Sequence, residues 1–167
     1  MGTITKTSQK PWTEANKPDS YVKGDEFEDF VRKYLFPISS YNLLHKTHDY
    51  AVNKDDFVAS SKKPDFKFRA RASGREFYVE AKYRSNLYKR AIDWCKFYQL
   101  KRYHLIDRYI PVIIAIGIGG QSMLPEHVFL IPVKCIKDTK LYPSFLRKYE
   151  LTKKRCVTEK ELSVLFC

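Results

Sequence analysis

The stretch Lys63 to Lys82, KPDFKFRARASGREFYVEAK, leaves the backbone little choice of fold. Residues 65–72 alternate, with Phe66, Phe68, Ala70 and Ala72 on one side and Asp65, Lys67, Arg69 and Arg71 on the other, the period-two pattern of a half-buried strand. Phe77, Val79 and Ala81 repeat the pattern opposite Tyr78, Glu80 and Lys82. Between the two runs, Ala72-Ser73-Gly74-Arg75 is a turn signal in which Gly74 accepts a positive φ without steric cost. A loop of two or four residues is expected, and the register that matches both faces sets Phe68 against Val79, Phe66 against Ala81, Lys67 against Glu80 and Asp65 against Lys82. Asp65 and Glu80 then become diagonal neighbours roughly 7–8 Å apart at the backbone, close enough for two carboxylates to meet one cation, with Lys82 beside them. The plain alternative is a solvated strand face whose charges pair with one another.

Charge distribution bears on that choice. Of the net +12, residues 60–109 supply +9, from 14 basic and 5 acidic groups, whereas residues 1–59 carry 8 basic and 9 acidic. A field of this kind draws polyanions, and acids set within it make sense for phosphate binding when something positive screens them. A divalent cation would do so. The competing explanation is that a basic balance merely aids solubility.

With 167 residues, 44% hydrophobic and 15% aromatic, the chain is long enough for one sizeable core. Its four cysteines (Cys95, Cys135, Cys156, Cys167) are widely spaced and show neither a CxxC nor a Cys/His cluster, so reduced thiols are expected. The longest apolar run, Ile110 to Ile118, is too short to span a bilayer, and the N-terminus lacks an apolar leader; no membrane partner and a cytoplasmic location are expected.

Along the chain, residues 1–22 read as a polar arm without periodicity, pinned by Trp12. From Lys23 to Phe36 the positions Phe27, Phe30, Val31, Tyr34 and Leu35 mark an amphipathic helix ended by Pro37. Glu28 lies at the border of its buried stripe and is the acid most able to face inward, whereas Glu26 and Asp29 point outward. A strand over Tyr41–Tyr50 and a loop over 51–62 precede the hairpin. Leu87 to Tyr109 reads as a long helix with an inner stripe through Tyr88, Ile92, Cys95, Gln99, Tyr103 and Ile106. A buried amide such as Gln99 must find a partner or cost about 1–3 kcal/mol. The run Val112–Ile118 is the mark of a strand buried on both faces, so strand, helix and strand form a parallel crossover. Val128–Val133 predicts a further strand, Phe145–Glu150 a short helix, and Thr158 with Glu161 a capping box opening a last helical turn.

The series KGDEFEDFV (23–31), PDF (64–66), EAK (80–82) and QLKRY (99–103), in that order on this skeleton, resembles the PD-(D/E)XK nuclease superfamily, in particular its RecB-like and archaeal Holliday-junction-resolvase-like branches. The resemblance covers about residues 23–118 and implies an α/β fold, an αβββαβ restriction-endonuclease-like core with a central mixed sheet flanked by helices. Residues 23–167 would form a single nuclease domain whose part beyond residue 118 is a variable elaboration. The resemblance also implies roles: Asp65 and Glu80 as metal ligands together with the Ala81 carbonyl, Lys82 as the amine near the attacking water, Glu28 as the helix carboxylate that reaches the metal, and Gln99 with Tyr103 as the supporting QxxxY pair. The expected activity is metal-dependent hydrolysis of DNA phosphodiesters with Mg²⁺ or Mn²⁺, because oxygen ligands and phosphate suit a hard cation.

Lys62, Lys63, Arg69, Arg84, Lys89 and Arg90 are the expected phosphate contacts, positioning DNA without reading bases. His45 and His48 lie on or beside the first strand and could touch substrate, although a surface histidine near a turn is the more common outcome, and Asp55 and Asp56 fall in the loop before the hairpin, where solvated acids are the ordinary outcome. Two-strand cleavage would call for a homodimer, although nothing in the sequence marks an interface. Two rival readings stand beside the enzyme: a DNA-docking module that kept the fold but lost turnover, and a structural protein with a charged hairpin face.

Overall fold

The computed structural model describes residues 18–47, 62–87 and 89–167. Helix α1 (Asp19–Phe30) starts four residues before the expected Lys23 and runs on through a π turn over Val31–Leu35, closed by the Phe36 N–H donating to the Val31 carbonyl at 2.9 Å. Pro37 prevents any continuation. Phe27, Phe30, Val31 and Leu35 are buried as their spacing predicts. Tyr34 is 52% exposed, because the wider π turn rotates it off the stripe.

Strand β1 (Tyr41–Lys46) leads toward the hairpin of β2 (Phe66–Ala70) and β3 (Glu76–Arg84). The expected strand residues 48–50, including His48, and the loop acids Asp55 and Asp56 lie outside the described residues. The hairpin forms with its apolar faces matched, but two residues away from the expected register: Phe66 pairs with Val79, Lys67 with Tyr78, Phe68 with Phe77 and Arg69 with Glu76. A four-residue loop is the reason, closed by the Ala70 N–H donating to the Arg75 carbonyl at 2.9 Å, with Gly74 at φ +73°. A shift of two preserves which side chains face the core, so the period-two signal cannot distinguish the two registers.

Beyond β3 the expected long helix is replaced. Lys89 and Arg90 take left-handed φ values of 49° and 60°, β4 (Ile92–Asp93) pairs antiparallel with β7 (Lys140–Leu141), and helix α2 covers only Phe97–Asp107. The Trp94 backbone N–H donates to the Thr139 carbonyl and its indole N–H to the Asp138 carbonyl, each at 3.1 Å. Ile92 and Trp94 are thus buried by a ribbon partner nearly fifty residues downstream, a contact no local periodicity reveals.

Strands β5 (Val112–Gln121) and β6 (Leu124–Pro132) complete a five-stranded sheet in the order β1-β2-β3-β5-β6, with β3 and β5 parallel and the other pairs antiparallel. Strand β6 starts four residues earlier than expected, since it forms a hairpin with the end of β5. As expected of a central strand, Val112 to Ile118 is buried throughout and feeds two cores. Ile113 and Ala115 join Phe27, Phe30, Phe66, Phe68, Phe77 and Val79 on the α1 side, while Val112, Ile114 and Ile116 join Trp94, Leu100 and Tyr103 on the α2 side. Each fully buried Ile or Phe contributes roughly 1.5–3 kcal/mol.

Gly117 of β5 lets α1 approach: a Cβ there would stand 2.5 Å from the Phe27 ring. The C-terminal part adds α3 (Pro143–Leu146), extended by a 3₁₀ turn over Arg147–Tyr149, and α4 (Glu159–Phe166). The expected Thr158/Glu161 capping box opens α4, which buries Leu162 against the α1-side core. The four cysteines stand unpaired, and no described helix is long and apolar enough to cross a membrane.

Candidate active site

The β2–β3 ladder stops at Phe66 and Val79, so from Glu80 onward β3 keeps β5 on one flank and faces the Pro64-Asp65 entry on the other. Asp65 and Glu80 occupy the next pair of that register, directly opposite rather than diagonal. They clasp each other through the backbone: the Asp65 N–H donates to Glu80 Oε2 at 3.2 Å, and the Ala81 N–H donates to Asp65 Oδ2 at 2.8 Å. Because a strand residue directs its N–H and C=O to the same flank, the Ala81 carbonyl faces this corner too.

Glu80 is nearly buried, its side chain 4% exposed, and Lys82 Nζ lies 2.7 Å from its Oε1. From the inner face of α2 the Tyr103 hydroxyl donates a hydrogen bond to Glu80. Glu28 is placed on α1 so that its charge acts on Asp65, and its Oε2 lies 3.7 Å from Lys46 Nζ on β1. The four expected residues therefore converge. Lys46, which local sequence patterning does not mark, is a cation beside Glu28, brought there by the pairing of β1 with β2.

The electrostatics follow from crowding. Burial, then the charges of Glu80 and Glu28, push the Asp65 carboxyl well above the usual carboxylate range, against the opposing pull of Lys82 and the Ala81 N–H. Burial works against the Lys82 charge, but Glu80 and Asp65 outweigh it and hold the amine above its ordinary value. Burial and the same two acids raise the Tyr103 hydroxyl, so it remains a donor. The Cys95 thiol, just before α2, is pushed up to about 12 by burial, with Lys82 pulling it down and Glu80 up, which sets the start of α2 beside the corner.

Among the described residues no three of His, Cys, Asp and Glu form a set able to enclose an ion. The donors at the corner are nevertheless hard oxygens, two clasped carboxyls with one amine beside them, and this chemistry fits a divalent cation completed by water or phosphate oxygens.

Gln99 also has a part in its own helix. Its Oε1 accepts from the Lys96 N–H at 2.9 Å and so caps the first turn of α2. Among the expected phosphate contacts, Lys62 and Lys63 are exposed just before Asp65, and Lys89 and Arg90 are exposed on the turn after β3. Arg84 holds the Tyr83 and Asp93 carbonyls at 2.9 Å each, and burial lowers its guanidinium. Arg69 sits toward the hairpin loop with its guanidinium on Glu76 at 2.6 Å, a partner it shares with Lys67. His45 pairs with Lys67 beside a bulge in β1. On α1, Asp29 binds Arg32 and Lys33 as an outward residue does, whereas Glu26, expected to point outward, accepts a hydrogen bond from Ser122 because the β5–β6 turn folds over it.

A mixed five-stranded sheet between helices, with an acid before its second strand and an acid and lysine on its third, has the architecture of a restriction-endonuclease-like fold. No protein-family model and no curated protein matches the sequence. Among solved structures, Hjc of Archaeoglobus fulgidus, a Holliday junction resolvase from an archaeal hyperthermophile, superposes with a TM-score of 0.53 at 15% identity, over 77% of this chain and 90% of that one. At that identity the likeness establishes the fold, which meets the αβββαβ expectation.

Proposed function

We propose that the protein is a metal-dependent DNA nuclease acting as an endonuclease. The observation that carries this reading is the Asp65–Glu80–Lys82 corner, where two clasped carboxyls, one of them reluctant to ionise, share a single charged amine. Asp65 and Glu80 would hold Mg²⁺ or Mn²⁺, together with the Ala81 carbonyl and, through water, Glu28. When bound, the cation lowers the pKa of water and neutralises charge gathering on the phosphate. Lys82, held protonated by its two acids, is a donor: it orients the attacking water or stabilises developing negative charge rather than taking a proton. Tyr103 fixes the Glu80 carboxylate from below.

DNA as substrate is supported by the +9 carried on residues 60–109, and the Hjc likeness supports a branched substrate and a symmetric pair of chains, since resolving a junction takes two incisions. The test is cleavage of supercoiled plasmid and of a panel of junction, flap and blunt oligonucleotides with Mg²⁺ or Mn²⁺. Cleavage is expected, with loss in Glu80→Ala. Identical behaviour of wild type and Glu80→Ala would refute the enzyme; salt-sensitive DNA binding without Mn²⁺ binding in calorimetry would instead point to a docking module that has lost turnover.

A further inference from the structure

The outer side of α2 is at odds with a solvated helix. Phe97 and Tyr98 are 63% and 62% exposed, and Tyr109, just past the last turn, is 88% exposed. Lys101 Nζ lies 4.9 Å from the centre of the Phe97 ring, and the Arg102 guanidinium 5.7 Å from that of Tyr98. At about 100° per residue, Phe97, Tyr98, Lys101 and Arg102 share roughly 140° of helix surface, and Arg108 and Tyr109 follow in the turn just past it, three rings and three cations with no acid among them. From Phe97 to Tyr109 the face is roughly 18 Å long. Exposed apolar area of this kind marks a contact surface. A second copy of the chain fits it poorly: across a two-fold axis the three cations would meet three cations with nothing to neutralise them. A polyanion with flat apolar groups fits both halves of the chemistry, because phosphates answer Lys101, Arg102 and Arg108 while bases stack on the rings.

We infer that this face of α2 is a stacking platform for unpaired bases of single-stranded DNA, the strand that flanks a branch or flap beside the Asp65–Glu80 corner. The inference rests on the proposed nuclease reading for DNA being the polymer and specifies its substrate as one with an unpaired segment. The same helix meets the corner from its inner side, through Tyr103 against Glu80, so the platform lies across α2 from it.

The experiment measures anisotropy of a labelled oligo-dT and of a blunt duplex bound to the full chain in chelator, where no cleavage occurs. Phe97→Ala with Tyr98→Ala is expected to weaken oligo-dT binding at least about tenfold, leave duplex binding within about twofold, and regain oligo-dT affinity as Phe97→Trp with Tyr98→Trp. Lys101→Ala with Arg102→Ala should reduce the oligo-dT salt slope by about 1.4, at about 0.7 for each phosphate no longer neutralised. No oligo-dT binding by wild type, an unchanged affinity in the Phe97/Tyr98 variant, or equal losses on both ligands overturns the inference. So does a dimer-to-monomer shift in sedimentation with oligo-dT affinity intact, which would assign the face to a second copy. Absence of Mg²⁺-dependent cleavage alongside the expected oligo-dT results would sink the nuclease reading and leave the platform standing.

Discussion

A carboxyl that must ionise beside Glu80 works against the fold that holds it. Because Asp65 has a folded-state pKa above its unfolded value, the folded chain binds more protons across the interval between the two, and stability falls as pH rises through it. Asp65→Asn keeps an oxygen for the Ala81 N–H and removes the repulsion. It is therefore expected to raise the melting temperature of the metal-free protein at neutral pH while abolishing cleavage; a lower melting temperature would contradict the crowding at this corner. Tyr103→Phe should act more gently: losing one hydrogen bond, worth about 1 kcal/mol, lowers kcat about fivefold with KM unchanged. Steady-state kinetics on the best-cleaved substrate decides this. At the residue scale much is legible in the sequence. Asp65, Glu80, Lys82 and Glu28 stand out because alternation and helix spacing put them on defined faces. The capping role of Gln99 does not, because its amide oxygen accepts from the Lys96 N–H, and a side chain's engagement with its own helix end leaves no mark on spacing.

At the level of elements, Gly117 governs how closely α1 lies on β5. Gly117→Ala drives a methyl into the buried Phe27 ring, for an expected loss of about 1–3 kcal/mol in urea unfolding. Since Phe27 precedes Glu28, the same variant should lower activity in excess of any unfolded fraction. At the other end of the chain the cap of α4 has a pH signature. The Thr158 N–H holds the Glu161 carboxyl below its ordinary value, with burial opposing and the Thr158 hydroxyl adding to the shift. The folded pKa lies below the unfolded one, so this contribution is complete above pH 4.5 and fades as pH falls through the folded value. Thr158→Ala is expected to cost about 1 kcal/mol at pH 7 and less at pH 3, as measured by denaturant titration at both pH values. Strands β2, β3 and β5 are readable from alternation and from the unbroken apolar run. The β4–β7 ribbon is not, since Ile92 and Cys95 imitate helical spacing and their real partner is remote in sequence.

For the molecule as a whole, the basic excess would set how the proposed nuclease meets DNA. If about six phosphates are neutralised, affinity should fall on the order of 10³-fold between 50 mM and 200 mM salt, with a linear log–log slope. A flat dependence would argue that the cations around residues 60–109 mainly serve solubility. The sheet order becomes predictable only once a buried run, a hairpin and an intervening helix are read together, because parallel neighbours require a crossover between them. One consequence reaches beyond stability. Asp65 and Glu80 are the next rung of the very ladder that zips β2 to β3, with the Asp65 N–H sealing the Glu80 carboxylate and the Ala81 N–H sealing that of Asp65. Closing the hairpin and assembling the proposed reactive centre are thus a single folding event, and a newly made chain would acquire that chemistry at the moment those two strands come into register.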